Sequence, residues 1–413
     1  MKFKGVSLSA SLLVLVVVVA IVSGAAGFYV GSFQKPAKPA GPELPGVIKI
    51  GVLLPLSGDL AEIGEKMKNG AVLAAEEINN AGGISGRKIQ LVIRDTQTNP
   101  AVAVEAFNEL VNVEGVKVVV GPAISPAVLS VAPIANEKKV VVVSPSATAP
   151  AISESSNDPG NFVFRVVGSD ALQGEAMAEM ANSMGFKKAV CLVINNDYGV
   201  GLANTIKEKF KGKVLMVVKY DPNALSYRAE ISEIKSAKPD VVFFVAFVKS
   251  GSKILKDARV EGLNVSWISS EGIADVAMFS DLEVAEYMVK VGMMGTKPRS
   301  PIGTPAYKKF AEKYRARFGE DPGLYSDYTY DAVKLVALAV AFAGEYSGEA
   351  IRDALFMVSQ NYVGVTGPKS FNEYGDVPQE YDVWKVVYVN GEYKFEIVGQ
   401  WTPMTGFKWA SEH

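Results

Sequence analysis

The sequence has almost none of two residue types on which much protein chemistry depends, histidine and cysteine. Its one histidine is His413, the last residue, and its one cysteine is Cys191, inside the apolar run "AVCLVI". A histidine-based catalytic triad and a histidine-rich metal site are therefore excluded, and no disulfide framework can form. Cys191 is expected to be a buried small hydrophobic residue rather than a reactive thiol. These absences remove most hydrolase mechanisms, and no cofactor is expected.

An excess of positive charge is also missing. The chain of 413 residues has 42 Lys and Arg residues against 44 Asp and Glu residues, for a net charge of -2. Proteins that bind a polyanion concentrate Lys and Arg in runs or patches, and the sequence contains no such run. Nucleic acid is therefore not an expected partner. A chain of this length is too long for one ordinary hydrophobic core, which predicts two lobes and additional segments.

Charged residues are absent from residues 5–34, directly after Lys2 and Lys4. This apolar tract is nearer to the about 20 residues of a spanning helix than to the about 7–15 of a signal-peptide core. We predict that residues 1–33 are a signal or an N-terminal membrane anchor, and the length favours the retained anchor. Cleavage after Ala26 and prepilin-type processing beside Lys4 and Gly5 are the alternatives. The positive-inside rule places the rest of the chain outside the cell.

The Pro-rich residues 34–46, "QKPAKPAGPELPG", show neither helical nor strand periodicity and predict a stiff extended linker. The globular part is expected to begin at Val47. An anchored chain would lie on the extracellular face of the cytoplasmic membrane, and a cleaved chain would be secreted or periplasmic.

From Val47 onward, short β-branched runs alternate with segments of helical spacing, which predicts a doubly wound α/β fold. The clearest unit is residues 116–150, "VKVVVGPAISPAVLSVAPIANEKKVVVVSPSATAP". Its two strands end in turns at the carboxyl edge of the sheet, where ligands bind, and each turn opens a helix whose first N–H groups lack partners. Ser125 and Thr148 in these turns are therefore expected to hold an anion, with helix capping as the alternative role.

Three further expectations come from local spacing. Asp95 and Thr96, after the second strand, are expected to cap a turn rather than contact a ligand. Two helical segments near residues 304–318 and 326–344 have no strand between them, so we expect them to cover the first lobe. The segment "DVWKVVYVNGEYKFEIVGQW" predicts a terminal hairpin with Asn390 and Gly391 at its turn.

The chain resembles the extracellular solute-binding proteins of branched-chain amino acid ABC importers. The resemblance is carried by "IGVLLPLSGDLAEIG", "GAVLAAEEINNAGGISGRKIQLVIRDTQTNP", "VVGPAISPA", "VVVSPSATAP", "NNDYGVGL" and "SSEG". It implies the type I periplasmic binding protein fold, in which two doubly wound parallel-sheet lobes, joined by a three-crossing hinge, close over an amino acid. It also implies ABC permease subunits as partners, and we expect the protein to be a monomer.

Under this resemblance, residues 47–167 and 295–382 are predicted to form the first lobe. Residues 168–294 and 383–413 are predicted to form the second lobe. The three crossings of the hinge are expected near residues 165–168, 290–295 and 381–384.

The resemblance also implies roles for residues in the cleft. Ser125, Ser146 and Thr148 match the positions that hold the carboxylate of the ligand. Glu271 matches the position that accepts the α-amino group, and it follows the strand "SWISS" at a carboxyl edge, where a solvated loop glutamate is the alternative. Tyr198 matches a tyrosine that faces the cleft, with packing inside its own lobe as the alternative.

Three more positions bear on the side chain of the ligand. Phe247 matches a position that is often aromatic and is expected to form an apolar wall, with a plain core role as the alternative. Ile63 stands where many relatives carry an aromatic residue, and Ala123 stands where a larger aliphatic residue is usual. Both changes leave more room, so the expected ligand is Leu, Ile or Val, or a larger apolar or aromatic amino acid.

Other functions are less consistent with the sequence. The Gly-rich "AGGISG" follows a helix and precedes a strand, which is the wrong order for a dinucleotide site. An enzyme would need a general base, and no usable histidine is present. A sensor domain for amino acids, amides or small carboxylates has the same fold, but a receptor would need a second spanning helix or a signalling domain, and only "TPMTGFKWASEH" follows Trp401. We therefore expect an importer component that is not an enzyme, with the sensor as the alternative.

Overall fold

The structure is a computed structural model, and it describes residues 43–410. The predicted signal or anchor, residues 1–33, lies outside the described residues, as do residues 34–42 of the predicted linker and residues 411–413. Within residues 43–410, no helix combines the length and the apolar character that a membrane crossing requires.

Helices and strands alternate along the chain as the sequence pattern predicts. The helices are α1 (Ala61–Asn80), α2 (Pro100–Asn112), α3 (Ser125–Lys138), α4 (Asp170–Ser183), α5 (Asp197–Lys209), α6 (Arg228–Ala237), α7 (Val248–Val260), α8 (Leu282–Lys290), α9 (Pro305–Phe318), α10 (Ser326–Ala343) and α11 (Gly348–Ser359). The strands are β1 (Val47–Leu54), β2 (Lys88–Asp95), β3 (Val118–Val120), β4 (Val141–Ser144), β5 (Val163–Arg165), β6 (Lys188–Ile194), β7 (Lys213–Tyr220), β8 (Val241–Val245), β9 (Ser266–Ser269), β10 (Met294–Pro298), β11 (Val363–Gly364), β12 (Gly367–Pro368), β13 (Tyr381–Val389), β14 (Glu392–Thr402) and β15 (Gly406–Trp409).

The first lobe is built on five parallel strands in the order β2-β1-β3-β4-β5. Every residue of β3 and β4 is buried, which is why both strands consist almost entirely of valine: β-branched side chains suit a strand that is covered on both faces. Helices α1 to α3 connect the strands. Helices α9 and α10 pack against α1, and α11 packs against α10 and β4, so the prediction that the late helices cover the first lobe is confirmed.

The second lobe is built on eight strands in the order β15-β14-β13-β10-β9-β8-β6-β7. Strands β6 to β10 are parallel to one another, whereas β10 and β13, β13 and β14, and β14 and β15 pair antiparallel. Asn390 and Gly391 join β13 to β14 with φ of 55° and 86°, as a two-residue hairpin turn requires, so the predicted hairpin is confirmed. Strands β10 and β15 and helix α8 were not expected from the sequence pattern.

Local capping signals explain where several helices begin. The Asn99 side chain accepts hydrogen bonds from the first N–H groups of α2, and Pro100 occupies the first helical position. Ser169 and Asn196 cap α4 and α5 in the same way, since their side chains accept from N–H groups of the first helical turn. Both caps lie at the carboxyl edge of the second lobe, so they set where these helices enter the cleft.

The chain passes between the two sheets three times. The first passage, after β5 and before α4, coincides with the predicted crossing at residues 165–168. The second lies after Pro298, later than the predicted residues 290–295, because β10 pairs with β9 and β13 in the second sheet. The third ends at Tyr381, where β13 begins, so residue 382 already lies in the second sheet. The second and third crossings differ from the prediction because of the backbone pairing of β10 and β13, which the local apolar pattern does not reveal. The lobe boundaries themselves stay a prediction.

The turn after β2 has the role expected of it. The Asp95 carboxylate accepts hydrogen bonds from the N–H groups of Leu56 at 2.9 Å, Ser57 at 3.1 Å and Gln97 at 2.7 Å. These bonds hold the turn after β1 against the turn after β2 and thereby fix the start of α1. Asp95 is therefore a turn-capping residue, as predicted.

Candidate functional site

One cavity lies between the carboxyl edges of the two sheets and contains about 420 Å³ of atom-free space. All the residues singled out from the sequence line this cavity: Ile63, Ala123, Ser125, Ser146, Thr148, Tyr198, Phe247 and Glu271. The fold therefore brings together residues that are up to 208 positions apart, from Ile63 to Glu271. Their roles in binding remain a prediction.

The first lobe presents hydroxyls and N–H groups to the cavity. Ser125 begins α3, and its Oγ accepts hydrogen bonds from the N–H groups of Thr148 at 3.2 Å and Ala149 at 3.0 Å. Because these two bonds use the acceptor capacity of the hydroxyl, its own proton is left to donate elsewhere. Ser125 and Thr148 are almost fully buried, so a bond that either hydroxyl makes to a ligand is shielded from water.

A buried arginine supports these turns from behind. Arg165 is fully buried, and its Nη1 donates to the carbonyl oxygen of Ala149 at 3.0 Å, beside Thr148. Its Nε pairs with Oδ1 of Asp376 at 2.5 Å, so the positive charge of Arg165 is already balanced. Ser146 is fixed by a bond from its Oγ to the carbonyl oxygen of Ala123 at 2.8 Å. The first lobe therefore offers mainly neutral donors at helix N-termini, an arrangement suited to a carboxylate.

The second lobe presents a buried carboxylate. Glu271 follows β9, is only 3% exposed, and accepts hydrogen bonds from Tyr198 Oη at 3.0 Å and Gln173 Nε2 at 2.7 Å. The next residue is glycine for a steric reason: a Cβ at Gly272 would lie 2.3 Å from the carbonyl oxygen of Ala246. Burial raises the pKa of Glu271, while the bonds from Gln173 and Tyr198 lower it.

A second buried carboxylate, Asp170, adjoins Glu271 and was not identified from the sequence. Asp170 is fully buried at the start of α4. Within residues 43–410 neither of its carboxylate oxygens makes a hydrogen bond of regular geometry, although the Thr148 hydroxyl lies close enough to lower the pKa of Asp170. Burial, and then the charge of Glu271, raise the pKa of Asp170 well above its usual value. An acid after the Ser169 cap is an ordinary way to begin a helix, so the sequence contained no signal that separates this Asp from a solvated one.

Aromatic and aliphatic side chains line the rest of the cavity. The rings of Tyr198 and Phe247 are stacked, with centroids 5.7 Å apart and an angle of 4° between their planes. Ile63 and Ala123 of the first lobe line the same cavity. Both rings border the same space, which is consistent with the separate predictions that Tyr198 faces the cleft and that Phe247 forms an apolar wall; the part of either ring in binding stays a prediction.

Five cavity residues of the first lobe were also missed by the sequence analysis: Leu60, Met67, Ile124, Leu324 and Tyr325. Tyr325 is the most unusual of them, since its φ of 64° is rare for a bulky residue. Its ring is buried, and burial followed by the charge of Glu271 raises the pKa of its hydroxyl. A strained backbone conformation of this kind is often found at a ligand site. No local pattern in "DPGLYSDY" marks it, because the segment reaches the cavity only through tertiary packing.

The lobes also touch each other beside the cavity. Nζ of Lys66 on α1 lies 3.4 Å from Oδ2 of Asp275 in the second lobe. A Cβ at Gly201 on α5 would lie 2.9 Å from Cδ of Pro150, so glycine permits the closest approach of the two lobes there. The two lobes are therefore in contact beside the cavity. No group of three or more His, Cys, Asp or Glu side chains in the described part of the chain is arranged to hold a metal ion.

Comparisons with known proteins agree with this geometry. A family model described as periplasmic binding protein matches residues 47–391. The leucine-, isoleucine-, valine-, threonine- and alanine-binding protein of Pseudomonas aeruginosa is 29% identical over 334 residues, which cover 80% of this chain and 87% of that protein. The branched-chain amino acid transporter substrate-binding protein LivJ from Streptococcus pneumoniae, solved in complex with isoleucine, is 26% identical with a TM-score of 0.74, covering 85% of this chain and 99% of that one.

A more distant structure shares the fold alone. It is a solute-binding protein of an ABC transporter from Rhodopseudomonas palustris in complex with 3,4-dihydroxybenzoic acid, 22% identical with a TM-score of 0.74, covering 89% of this chain and 100% of that one. The family model spans most of the chain, and the two-lobed architecture matches both solved structures. The chain therefore belongs to the periplasmic binding protein family and has the type I fold of the leucine/isoleucine/valine-binding proteins.

Proposed function

We propose that this protein is the extracellular substrate-binding component of an ABC importer and that it binds an α-amino acid in the interlobe cavity. The observation that carries the proposal is the arrangement of neutral donors on one lobe opposite a buried carboxylate on the other. A zwitterion presents a carboxylate and an ammonium on one carbon, so it can bridge the two lobes. The family consists of solute-binding proteins that act in the periplasm or outside the cell, which supports a carrier rather than an enzyme.

The carboxylate of the ligand would bind to the first lobe. Ser125 and Thr148 supply hydroxyl donors, and the turn that contains Ser146 supplies backbone groups. Each hydrogen bond to a charged group contributes roughly 1.5–3 kcal/mol, so two or three such bonds account for much of a micromolar affinity. The N-terminus of α3 adds a favourable dipole.

The ammonium would bind to the second lobe. Glu271 accepts it directly, and the neighbouring Asp170 increases the negative potential around it. A cation placed between two buried carboxylates, or beside them, offsets the repulsion between their negative charges. A carboxylate ligand that lacks an ammonium would leave this charge unbalanced, at a free-energy cost of several kcal/mol.

The side chain of the ligand would lie against the stacked rings of Tyr198 and Phe247. Ile63 and Ala123 on the opposite side are small for these positions, so the pocket accepts Leu, Ile or Val, or a larger apolar or aromatic side chain. The P. aeruginosa relative is named as a binding protein for leucine, isoleucine, valine, threonine and alanine, and the S. pneumoniae structure contains isoleucine. Both relatives support a branched aliphatic ligand.

Ligand binding would favour the closed arrangement of the lobes. A ligand held by Ser125 on one lobe and Glu271 on the other makes its full set of contacts only when the lobes meet, so it shifts the equilibrium toward closure. The permease would then bind the closed form and receive the amino acid. The sensor alternative would use the same closure to signal instead. Co-purification with permease subunits would support the importer, whereas co-purification with a kinase or chemotaxis component would favour the sensor.

Titration calorimetry on the full chain, purified in detergent, tests the ligand class. L-leucine, L-isoleucine and L-phenylalanine are compared with 2-hydroxy-4-methylpentanoate, which replaces the ammonium of leucine by a hydroxyl, and with 3,4-dihydroxybenzoate. We expect at least one amino acid to bind, and the hydroxy acid to bind more than about 100-fold less tightly than leucine, because it leaves Glu271 unpaired. Preferential binding of either acid without an ammonium would contradict the proposal.

We also propose that residues 1–33 are retained as a membrane anchor. The length of the uncharged tract, residues 5–34, supports this proposal. Fractionation of cells that produce the protein tests it, with the expected result that the full-length chain sediments with membranes and is released only by detergent. A shortened chain in the soluble fraction would contradict it.

A further inference from the structure

The N-terminus of α7 lacks a cap from its own lobe. Its N-cap residue is Phe247, whose side chain accepts no hydrogen bond, and no acidic residue occurs in its first turn. A helix begins with N–H groups that have no partner inside the helix, and they need acceptors when they are shielded from water. Ser250 in this first turn is 1% exposed, so water cannot readily accept a hydrogen bond from its N–H group.

The missing acceptor comes from the other lobe. Asp59 lies in the turn between β1 and α1 of the first lobe, and its Oδ1 accepts a hydrogen bond from the N–H of Ser250 at 3.1 Å. Its Oδ2 accepts another from Ser250 Oγ at 2.9 Å. Ser250 is the third residue of α7, the position at which an N-cap side chain normally accepts its hydrogen bond. Asp59 therefore acts as an N-cap in trans, and its negative charge faces the positive end of the helix dipole.

The contact adjoins the cavity without forming part of it. Asp59 precedes Leu60, and Ser250 comes three residues after Phe247; Leu60 and Phe247 both line the cavity. Asp59 itself lies on the outer rim of the cleft, with Val248 and Lys249. The cap therefore joins the two edges that must meet when a ligand is enclosed, and it does so without touching the ligand space.

We propose that Asp59 is a positioning residue that caps α7 only when the lobes are closed and so raises the affinity for a ligand that it does not touch. Opening the cleft would separate Asp59 from α7, because the two belong to different lobes. A contact present only in the closed form shifts the equilibrium toward that form, and the apparent affinity rises with the closed fraction. Removing a helix cap of this kind should weaken binding roughly fivefold to thirtyfold.

The test uses L-leucine as the probe and compares wild type with Asp59→Ala, Asp59→Asn and Ser250→Ala. We expect Asp59→Ala to weaken binding by the factor given above, with Asp59→Asn in between because it keeps one acceptor but loses the charge. In stopped-flow measurements the dissociation rate should rise while the association rate stays near wild type, since the cap forms after the ligand has entered. Ser250→Ala should show little further loss in an Asp59→Ala background.

Glu62→Gln is the matched control. Glu62 is an exposed acid three residues after Asp59 on the same rim, and among residues 43–410 it has no hydrogen bond or ion pair with the second lobe. It should bind leucine like wild type. Wild-type affinity in Asp59→Ala would overturn the proposal. The proposal would also be overturned if Asp59→Ala lowered the thermal midpoint of the ligand-free protein enough to explain the weaker binding. That result would indicate that Asp59 stabilises one lobe by itself.

This inference rests on the proposed clamp, yet the two can fail separately. If wild-type protein bound 3,4-dihydroxybenzoate and no amino acid, the proposed function would fail, and hydrogen exchange of the Ser250 amide in protein saturated with that acid would then decide on the cap, because the cap exists only in the closed form. Faster exchange in Asp59→Ala than in wild type, with the C-terminal end of α7 unchanged, would support the cap. Equal exchange rates would refute it.

Discussion

In the first lobe, the cleft is lined by hydroxyls and N–H groups at strand-to-helix turns, whereas in the second it is lined by carboxylates and aromatic rings. Ser125 and Thr148 lie within one continuous βαβ unit, 23 residues apart. Glu271, Tyr198 and Asp170 come from three separate turns that only the second sheet brings together. A group of hydrogen-bond donors can thus be encoded locally, while a group of buried carboxylates depends on long-range packing, because isolated buried charges need several neighbours to hold them.

The largest effect is expected when the charge of the second lobe is removed. Glu271→Gln keeps the shape of the side chain but replaces the proposed acceptor of the ammonium by a neutral amide. We expect the affinity for amino acids to fall more than about 100-fold, because the ligand ammonium would be buried without its partner. Calorimetry gives the affinity directly.

A control separates this effect from general damage to the lobe. Glu283→Gln alters an exposed glutamate of α8, whose side chain is 51% exposed, and should leave the affinity unchanged. Near wild-type binding by Glu271→Gln would show that the acidic face of the cleft has another role.

The second-largest effect is expected when a donor of the first lobe is removed. Ser125→Ala deletes one of the proposed hydroxyl donors to the ligand carboxylate and leaves the N–H groups of Thr148 and Ala149 without their acceptor. The affinity should fall roughly tenfold to a hundredfold, as for the loss of one hydrogen bond to a charged group. Ser130→Ala, on the exposed side of the same helix, should bind like wild type. Equal affinities for both variants would place the carboxylate elsewhere.

The acidic face should also make binding depend on pH. The pKa values of Glu271 and Asp170 are raised by burial, and in Asp170 also by the charge of Glu271. A ligand ammonium favours the ionised carboxyls, so affinity is fully present above the raised pKa and is lost as pH falls through it. The loss should begin above 4.5, the ordinary pKa of glutamate.

Asp170→Asn sharpens this prediction. Removing one of the two charges lowers the pKa of Glu271, so the fall in affinity should move to lower pH, although binding at neutral pH weakens modestly. Calorimetric titrations of both proteins over the same pH series check it. A pH profile that the substitution leaves unchanged would mean that the two carboxyls are not coupled.

The smallest effect is expected on the choice of side chain. Ile63→Phe fills part of the space opposite the stacked rings of Tyr198 and Phe247. It should reduce the affinity for phenylalanine more than that for valine, by a factor of roughly ten, because adding bulk to a packed wall costs about 1–3 kcal/mol. A competition assay with the two amino acids measures the ratio. An unchanged ratio would show that the ligand side chain points away from Ile63.

Much of the fold could be predicted because its signals are local. The valine runs of β3 and β4 and the Asn390–Gly391 turn each act within a few residues, so pattern and structure agree there. Strand β10 was missed because "MGTKP" has no β-branched run and becomes a strand only by pairing with β9 and β13. That pairing also moves the second crossing past Pro298.

The sequence by itself determined the alternation of strands and helices, the donors in the turns after β3 and β4, and the absence of histidine chemistry. Those features depend on residue type and on short-range backbone geometry. Only the tertiary structure decided that Asp170 adjoins Glu271, that Tyr325 reaches the cavity, and that Asp59 caps a helix of the opposite lobe. Asp170 and Glu271 are 101 residues apart, and Asp59 and Ser250 are 191 apart, so their burial and charge have meaning only after the two lobes have packed together.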